Sequence, residues 1–279
     1  MSTVAILGAG EIGAACAHAL AAADHVRRIV LVDDAAAAGK ALDIQQSGPI
    51  ELFHASLEGT ADLAAVIRAD VCVIADRVAA PVGEWTGDAG LQLVRRLTEL
   101  CARAPFVFAG AGAPALMRQA AVELKVPASR MLGSAPGGLV SAARGITALD
   151  AGCSATDVAL SVVGAARNFV IPWSQASIAG YAATAVLSQA DLARIEARIA
   201  QLWPPGPETL GVVAARLVEG MLASSRRTFT AFTVVDGEFG VRQAVAALPV
   251  LVCPKGLNER RLPPLSSREQ VQLESALGR

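Results

Sequence analysis

An apolar run near the N-terminus leads directly into a glycine-rich turn, and an alanine-rich helix follows the turn. Residues 4–7 form the run, and Gly8, Gly10 and Gly13 follow it with the spacing GxGxxG. A second apolar run ends at Asp33, 20 positions after Gly13. A strand, a glycine turn, a helix and an acidic residue at this distance are typical of a dinucleotide-binding βαβ unit. The sequence therefore predicts an α/β fold whose first half is a doubly wound parallel sheet of the Rossmann type.

Each residue of this motif has a predicted task. Gly8 permits the sharp turn, Gly10 lets the backbone approach a pyrophosphate, and Gly13 lets the helix pack close to the strand. Asp33 favours NAD over NADP, because its carboxylate would accept hydrogen bonds from a ribose diol and repel a 2′-phosphate. An alternative stays open, in which the glycines persist only because the tight turn needs them. The residues predicted to bind the cofactor are Gly8, Gly10, Glu11, Ile12, Gly13 and Asp33.

Composition excludes several classes of protein. The formal net charge of the 279 residues is −1, which gives no reason to expect a nucleic acid or an anionic membrane as partner. The apolar runs are shorter than the roughly 18 residues of a membrane span, and the N-terminus enters a strand without a signal peptide, so a cytoplasmic protein is expected. The five cysteines form no CxxC pair and are interpreted as buried reduced thiols. No metal site is expected.

The distribution of strands and glycines predicts two lobes. Strand-like runs at residues 3–7, 28–32, 52–55, 71–74, 105–109 and 130–132 alternate with helical segments, which is typical of a parallel sheet with helices on both faces. A glycine-rich passage at residues 133–138 is the predicted boundary. We therefore expect a dinucleotide-binding lobe over residues 1–136 and an α+β lobe over residues 137–279. Ser266 and Glu269 predict a capping box for the final helix.

The chain resembles the lactate/malate dehydrogenase family over nearly its full length. The resemblance rests on the glycine turn, on Asp33, on GKALDIQ at residues 39–45, on the run at 69–74 and on GEFGV at 237–241. It implies NAD as cofactor, a substrate lobe in the second half, and homo-oligomers (dimers or tetramers) that pair through the helix near residues 35–47. The family reaction moves a hydride between C2 of a 2-hydroxy acid and nicotinamide.

That reaction has chemical requirements which the second half of this chain does not meet. It needs a histidine to exchange the hydroxyl proton, a carboxylate to hold that histidine, and arginines to clamp the substrate and polarise its carbonyl. No histidine follows His54 in the sequence. We therefore predict no catalytic residue of the family type. The residues that match the family's functional positions are Ala166 for the histidine, Val140 for the carboxylate, Ala143 for the clamping arginine, Thr86 for the polarising arginine, Ala80 for the specificity residue and Ala113 for an asparagine.

Three functions remain open at this stage. The first is a pseudoenzyme that binds NAD(H) and acts by binding or scaffolding, with an unidentified protein as partner. The second is an active oxidoreductase with a rebuilt site, for example one that pairs Glu84 with Arg167. The third is a purely structural protein that holds no nucleotide. The charges of Asp76, Arg77 and Glu84 are interpreted as solvated loop charges.

Overall fold

A computed structural model describes residues 2–34, 36–78 and 83–278. The first part of the chain contains, in order, β1 (Thr3–Leu7), α1 (Glu11–Ala22), β2 (Arg28–Val32), α2 (Ala36–Glu51), β3 (Ser56–Thr60), β4 (Val71–Ile74), β5 (Asp76–Arg77), β6 (Gly83–Glu84), α3 (Gly87–Leu100), β7 (Phe106–Phe108), α4 (Ala113–Glu123) and β8 (Met131–Gly133).

The second part contains α5 (Pro136–Ala151), β9 (Val158–Ala159), β10 (Val163–Ala165), β11 (Asn168–Val170), β12 (Ser177–Ile178), β13 (Tyr181–Ala182), α6 (Ala183–Val186), α7 (Gln189–Ala200), α8 (Pro207–Leu222), β14 (Phe229–Val235), β15 (Ala244–Cys253), β16 (Gly256–Arg260) and α9 (Ser267–Ala276). Within the described ranges, no helix combines the length and the apolar character needed to cross a lipid bilayer.

The strands of the first part form a parallel sheet in the order β3-β2-β1-β4-β7-β8. The core strands are apolar on both faces, as expected when helices cover both sides of a parallel sheet. The strand order reverses between β1 and β4. The carboxyl ends of these two strands therefore flank the crevice in which open α/β sheets bind their ligands. This arrangement confirms the predicted Rossmann-type fold.

The sheet continues without a break into the second part. Strand β14 pairs antiparallel with β8 through Phe232 and Gly133, and β15, β10 and β11 follow beyond it. A small antiparallel sheet of β13, β12 and β9 lies apart. Helix α8 packs on α1 at Gly211, where a Cβ atom would meet the side chain of Ala15 and the backbone of Ile12. The second part thus has the predicted α+β character.

The positions of some strands differ from the sequence-based expectation. The third strand is Ser56–Thr60 rather than residues 52–55. It lies at the edge of the sheet and pairs with β2, so an exposed edge strand with polar residues is compatible with the fold. Because the strand is polar, it contains no apolar run that would predict it from the sequence. The segment before it turns at Leu52, which adopts a φ of +62°. Strand β16 was not predicted.

The capping box of the last helix is confirmed, and it also fastens that helix to the rest of the lobe. The Ser266 hydroxyl accepts from the Glu269 N–H, and the Glu269 carboxylate accepts from the Ser266 N–H. The same carboxylate accepts from the N–H of Ser174 at 3.0 Å and from its hydroxyl at 2.6 Å. Burial acts to raise the pKa of Glu269, but the hydrogen bonds from Ser174 and Ser266 outweigh it, so the pKa lies below its ordinary 4.5.

We expect Glu269→Gln to destabilise the protein by about 1–3 kcal/mol at neutral pH, because it removes a charged acceptor of four hydrogen bonds. A carboxylate whose pKa is lower in the folded than in the unfolded state stabilises the protein at pH values above its unfolded-state pKa. This stabilisation is lost as the pH falls through its folded-state pKa. The difference from the wild type in urea unfolding should therefore shrink from pH 7 towards pH 3.5. Glu123→Gln, at an exposed site, is the matched control. A difference that stays constant over this range would contradict the assigned role of the charge.

Candidate functional site

The glycine turn lies at the carboxyl end of β1, and the structure brings the predicted residues together there. Gly8 has a φ of +111° and donates its N–H to the Val32 carbonyl. A Cβ atom on Gly13 would meet the Gly8 carbonyl, so the helix can approach the turn only with glycine here. Ile12 is buried in the core. Glu11 is exposed and lines a groove between α1, α2 and α8, so its side chain is not part of the turn.

Asp33, at the end of β2, holds the turn in place through backbone hydrogen bonds. Its Oδ2 accepts from the N–H of Ala9 at 2.8 Å and from the N–H of Val78 at 3.0 Å. Its Oδ1 accepts from the N–H of Asp34 at 2.9 Å. The carboxylate is in the place expected of a ribose ligand. A ribose diol would have to share these oxygens with the backbone.

Asp76 places a second carboxylate directly against the turn. Its Oδ1 accepts from the N–H of Gly13 at 2.9 Å, and its carboxylate fills the space that the missing Cβ of Gly10 leaves free. The Gly10 N–H in turn donates to the Asp76 carbonyl at 2.9 Å. The N-terminus of α1, which attracts anions, therefore already holds an anion of the chain itself.

Glu84 caps a second helix at the same edge of the sheet. Its two carboxylate oxygens accept from the N–H groups of Ala111 at 2.9 Å and Gly112 at 2.7 Å, just before α4. The next residue, Trp85, donates its indole N–H to the Leu7 carbonyl at 3.1 Å and so covers the end of β1. The guanidinium of Arg77 lies over this indole ring, 4.5 Å from its centroid.

The interpretation of Asp76, Arg77 and Glu84 as solvated loop charges is therefore wrong. All three are half-buried on the short β5–β6 hairpin, and both carboxylates satisfy backbone donors of other elements. Sequence reasoning missed this because the partners lie 63 and 27 residues away in the chain. The suggested pair of Glu84 with Arg167 does not form, since both Glu84 oxygens bind backbone N–H groups. Ala80 lies outside the described residues.

In the second lobe, the β10–β11 hairpin carries the residue that is predicted from the sequence to match the family histidine. Ala166 lies at its tip beside Arg167, whose φ is +72°, and packs against the main core. Next to it, Phe169 packs on Trp203 with ring centroids 4.7 Å apart, and Trp203 meets Phe232 at 5.9 Å. These aromatic rings fill the space between the hairpin and β8 with hydrocarbon.

Helix α5 presents an apolar face to this hairpin. Leu139 lines the cavity beside it, and Val140, predicted to match the carboxylate, packs against an apolar cluster that includes Leu139. Ala143 is fully buried in the same apolar cluster as Leu139. Arg144 donates to the Ala155 carbonyl from Nε at 3.2 Å and from its terminal nitrogen at 3.0 Å, so it faces away. Neither a carboxylate nor a guanidinium points from this face toward Ala166.

The cavity beside the hairpin measures about 810 Å³ and lies between β11, α7 and α9. Arg167 and Asn168 line one side, and Glu196 is the only carboxylate among the described residues that line it. Glu196 accepts the indole N–H of Trp173 at 2.7 Å. The acid of this cavity is therefore already engaged, and none of the lining residues belongs to the glycine turn.

The three histidines lie elsewhere in the first lobe. His18 on α1 contacts Glu51 at 2.8 Å, and His54 contacts Asp24 at 3.1 Å with 86% of its side chain exposed. His25, which precedes β2, is exposed. None of them lines the cavity or the glycine turn.

The cysteines and the acidic residues form no further site in the part of the chain that the structure describes. No group of three or more histidine, cysteine, aspartate or glutamate side chains has a metal-binding arrangement there. All five cysteines are free. Cys16, Cys72 and Cys101 are buried as predicted, whereas Cys153, just after α5, and Cys253, the last residue of β15, are half-buried.

A doubly wound parallel sheet with a glycine turn at its switch point, joined to an α+β lobe, defines a two-lobed dinucleotide-binding protein of the Rossmann class. Residues 2–94 match the family model described as "lactate/malate dehydrogenase, NAD binding domain". Residues 2–94 therefore have the character of the NAD-binding domain of the lactate/malate dehydrogenase family, and NAD is the cofactor of that domain.

Individual relatives match over almost the whole length. A malate dehydrogenase of Desulforudis audaxviator is 28% identical, with 98% of this chain and 94% of that protein covered. The solved malate dehydrogenase from Salinibacter ruber superposes with a TM-score of 0.88 at 23% identity, covering 99% of this chain and 94% of that chain. A lactate dehydrogenase from Cryptosporidium parvum, solved with lactic acid and NAD, superposes with a TM-score of 0.86 at 18% identity, covering 99% and 94%. At these identities, the solved structures establish the shared fold.

The cleft fits NAD only in part. The glycine turn and Asp33 suit the adenosine ribose and the approach of a phosphate. The carboxylate of Asp76, however, lies on the N–H of Gly13 and against Gly10, where the diphosphate of a dinucleotide would need positive dipoles and open space. The diphosphate half does not fit while Asp76 keeps this position.

Proposed function

We propose that this protein is a pseudoenzyme of the lactate/malate dehydrogenase family, which binds NAD(H) and does not oxidise malate or lactate. Its role is then binding or scaffolding, with another protein as partner. The domain match to an NAD-binding model supports the cofactor, and the malate dehydrogenase relatives support the ancestry of the framework.

One observation carries this proposal: an alanine stands at the hairpin position where the reaction needs an imidazole. Ala166 is packed against hydrocarbon, and Leu139 and Ala143 on the facing helix offer no acid or cation. Hydride transfer from a hydroxyl carbon requires that the hydroxyl proton leave at the same time, which needs a base within hydrogen-bond reach. No histidine follows His54 in the sequence, and Glu196, the one carboxylate among the described residues that line the neighbouring cavity, is engaged by Trp173.

The exposed face of α2 supports the proposed homo-oligomer. Leu42 and Ile50 on this helix are 58% and 83% exposed, and Leu52, just after it, is 77% exposed. Neighbouring large apolar side chains on a surface helix are typical of a protein interface. Light scattering measures the mass in solution, and Ile50→Glu should shift an oligomer toward the monomer.

The second candidate is an oxidoreductase with a rebuilt site, and the cavity of about 810 Å³ favours it. Arg167 lines this cavity and could hold an anionic substrate. The candidate is weaker because the only lining carboxylate, Glu196, already binds Trp173, and because the cavity does not reach the glycine turn.

The test combines a binding measurement with a turnover assay on the same purified protein. NADH binding is followed by calorimetry, and NADH formation is followed with malate, lactate and a panel of other alcohols and hydroxy acids. Binding without turnover supports the pseudoenzyme. Turnover of malate or lactate at ordinary dehydrogenase rates rejects it, and turnover of another substrate alone favours the rebuilt site.

A further inference from the structure

The carboxylate of Asp76 occupies the position at which a bound dinucleotide would place its diphosphate. We propose that Asp76 is a built-in competitor of that diphosphate, so that the cleft binds NAD(H) weakly and discriminates against ligands with a diphosphate. This inference rests on the proposed NAD(H) binding. It adds a residue outside the glycine motif that sets which nucleotides the cleft accepts.

The position of Asp76 is built into the fold rather than chosen by a free side chain. Its carbonyl accepts the Gly10 N–H, which fixes the backbone of β5 beside the turn, and its Oδ1 accepts the Gly13 N–H at 2.9 Å. A Cβ atom on Gly10 would collide with this carboxylate. The free face of Gly10 therefore accommodates the Asp76 side chain. Rotation of that side chain would reopen it.

The charges around the turn strengthen the competition. Asp33 and Glu84 add two more carboxylates at the same edge of the sheet, each on backbone N–H groups. Arg77 is the nearest cation in sequence, yet it stacks on Trp85 and makes no ion pair within the described ranges. A diphosphate that enters this cleft therefore finds the backbone N–H groups already bound to carboxylates, and it meets charges of its own sign.

The competition predicts a specific order of ligands. Adenosine carries the ribose diol but no phosphate, so Asp76 does not oppose it. ADP-ribose and NADH both carry the diphosphate, so Asp76 opposes both. The discrimination should therefore separate nucleotides by the presence of the diphosphate and should not depend on the nicotinamide ring.

The experiment measures the affinities of the full-length wild type, Asp76→Ala and Asp157→Ala for NADH, ADP-ribose and adenosine by isothermal titration calorimetry. Asp157 is exposed in the second lobe, so its replacement removes the same charge without touching the turn. We expect Asp76→Ala to bind NADH and ADP-ribose at least about tenfold more tightly than the wild type. Adenosine should change by less than about twofold, and Asp157→Ala should match the wild type.

An unchanged or weaker affinity of Asp76→Ala for NADH would overturn the inference, and so would failure of both proteins to bind it. An equal increase in the affinity for adenosine would also overturn the inference, because it would indicate a general opening of the cleft. Asp76→Asn retains an acceptor for the Gly13 N–H, and the same ranking is expected of it if Asp76→Ala does not fold. The turnover assay is independent of these titrations, so failure of this inference and activity on malate or lactate are distinguishable.

Discussion

The purified protein is expected to oxidise malate and lactate with NAD at least about 10⁴-fold more slowly than a family enzyme with an intact site. Loss of the general acid/base alone removes about 10²–10⁴ in rate, and the absent carboxylate and arginines remove more. Ala166 and Leu139 provide neither a proton acceptor nor a charge, and Thr86 matches the polarising arginine. Initial rates of NADH formation, measured beside a catalytically intact relative, give the ratio.

Ala166→His provides the control for this expectation. A single imidazole would lack both the carboxylate that orients it and the arginine that clamps the substrate, so the variant should remain without useful activity. The wild type and Ala166→Ser should then give the same background rate, because that rate would come from contaminants. Recovery of ordinary rates in Ala166→His alone would show that the rest of the catalytic machinery is intact. That result would contradict the conclusion that α5 offers neither a carboxylate nor an arginine to the site.

Phe232→Ala should lower the free energy of unfolding by about 3–5 kcal/mol, the second large effect that we expect. Phe232 is fully buried, and its ring packs against Trp203 at 5.9 Å and Phe169 at 6.2 Å between the ring centroids. Its removal leaves a cavity at the junction of β8 and β14, where the backbone of the sheet cannot collapse. Urea unfolding followed by tryptophan fluorescence gives the difference.

Leu149→Ala is the control for Phe232→Ala, since Leu149 is 76% exposed and its truncation should change stability by less than about 0.5 kcal/mol. A double-mutant cycle with Phe169→Ala should give a coupling of about 0.5–1.5 kcal/mol between the two rings. A loss below about 1 kcal/mol for Phe232→Ala would mean that the aromatic cluster does not hold the two lobes together as described.

Local sequence was sufficient to predict the elements whose causes are local. The glycine turn, the positions of most buried parallel strands and the capping box of Ser266 with Glu269 depend on neighbouring residues and on apolar runs. Strand β3 was misplaced because its pairing with β2, rather than its own hydrophobicity, defines it.

Beyond the glycine turn and Asp33, the candidate site was predictable only in what it lacks. The absence of a histidine beyond His54 is visible in the sequence, and so is the alanine at position 166. The tasks of Asp76 and Glu84 were not visible, because side-chain caps on distant backbone N–H groups exist only once the sheet has assembled. A half-buried acid directly after a parallel strand is the signal that could have suggested such a cap.

The sheet that passes through both lobes has a consequence for how the protein can be divided. Strand β8 pairs with β7 on one side and with β14 on the other, and Gly211 brings α8 against α1. A fragment that ends near residue 136 would leave one flank of β8 with unsatisfied amides and carbonyls and would bare the apolar side of α1. Open strand flanks of this kind recruit other chains and aggregate. The two halves are therefore expected to mature as one cooperative unit, and an excised N-terminal half should precipitate.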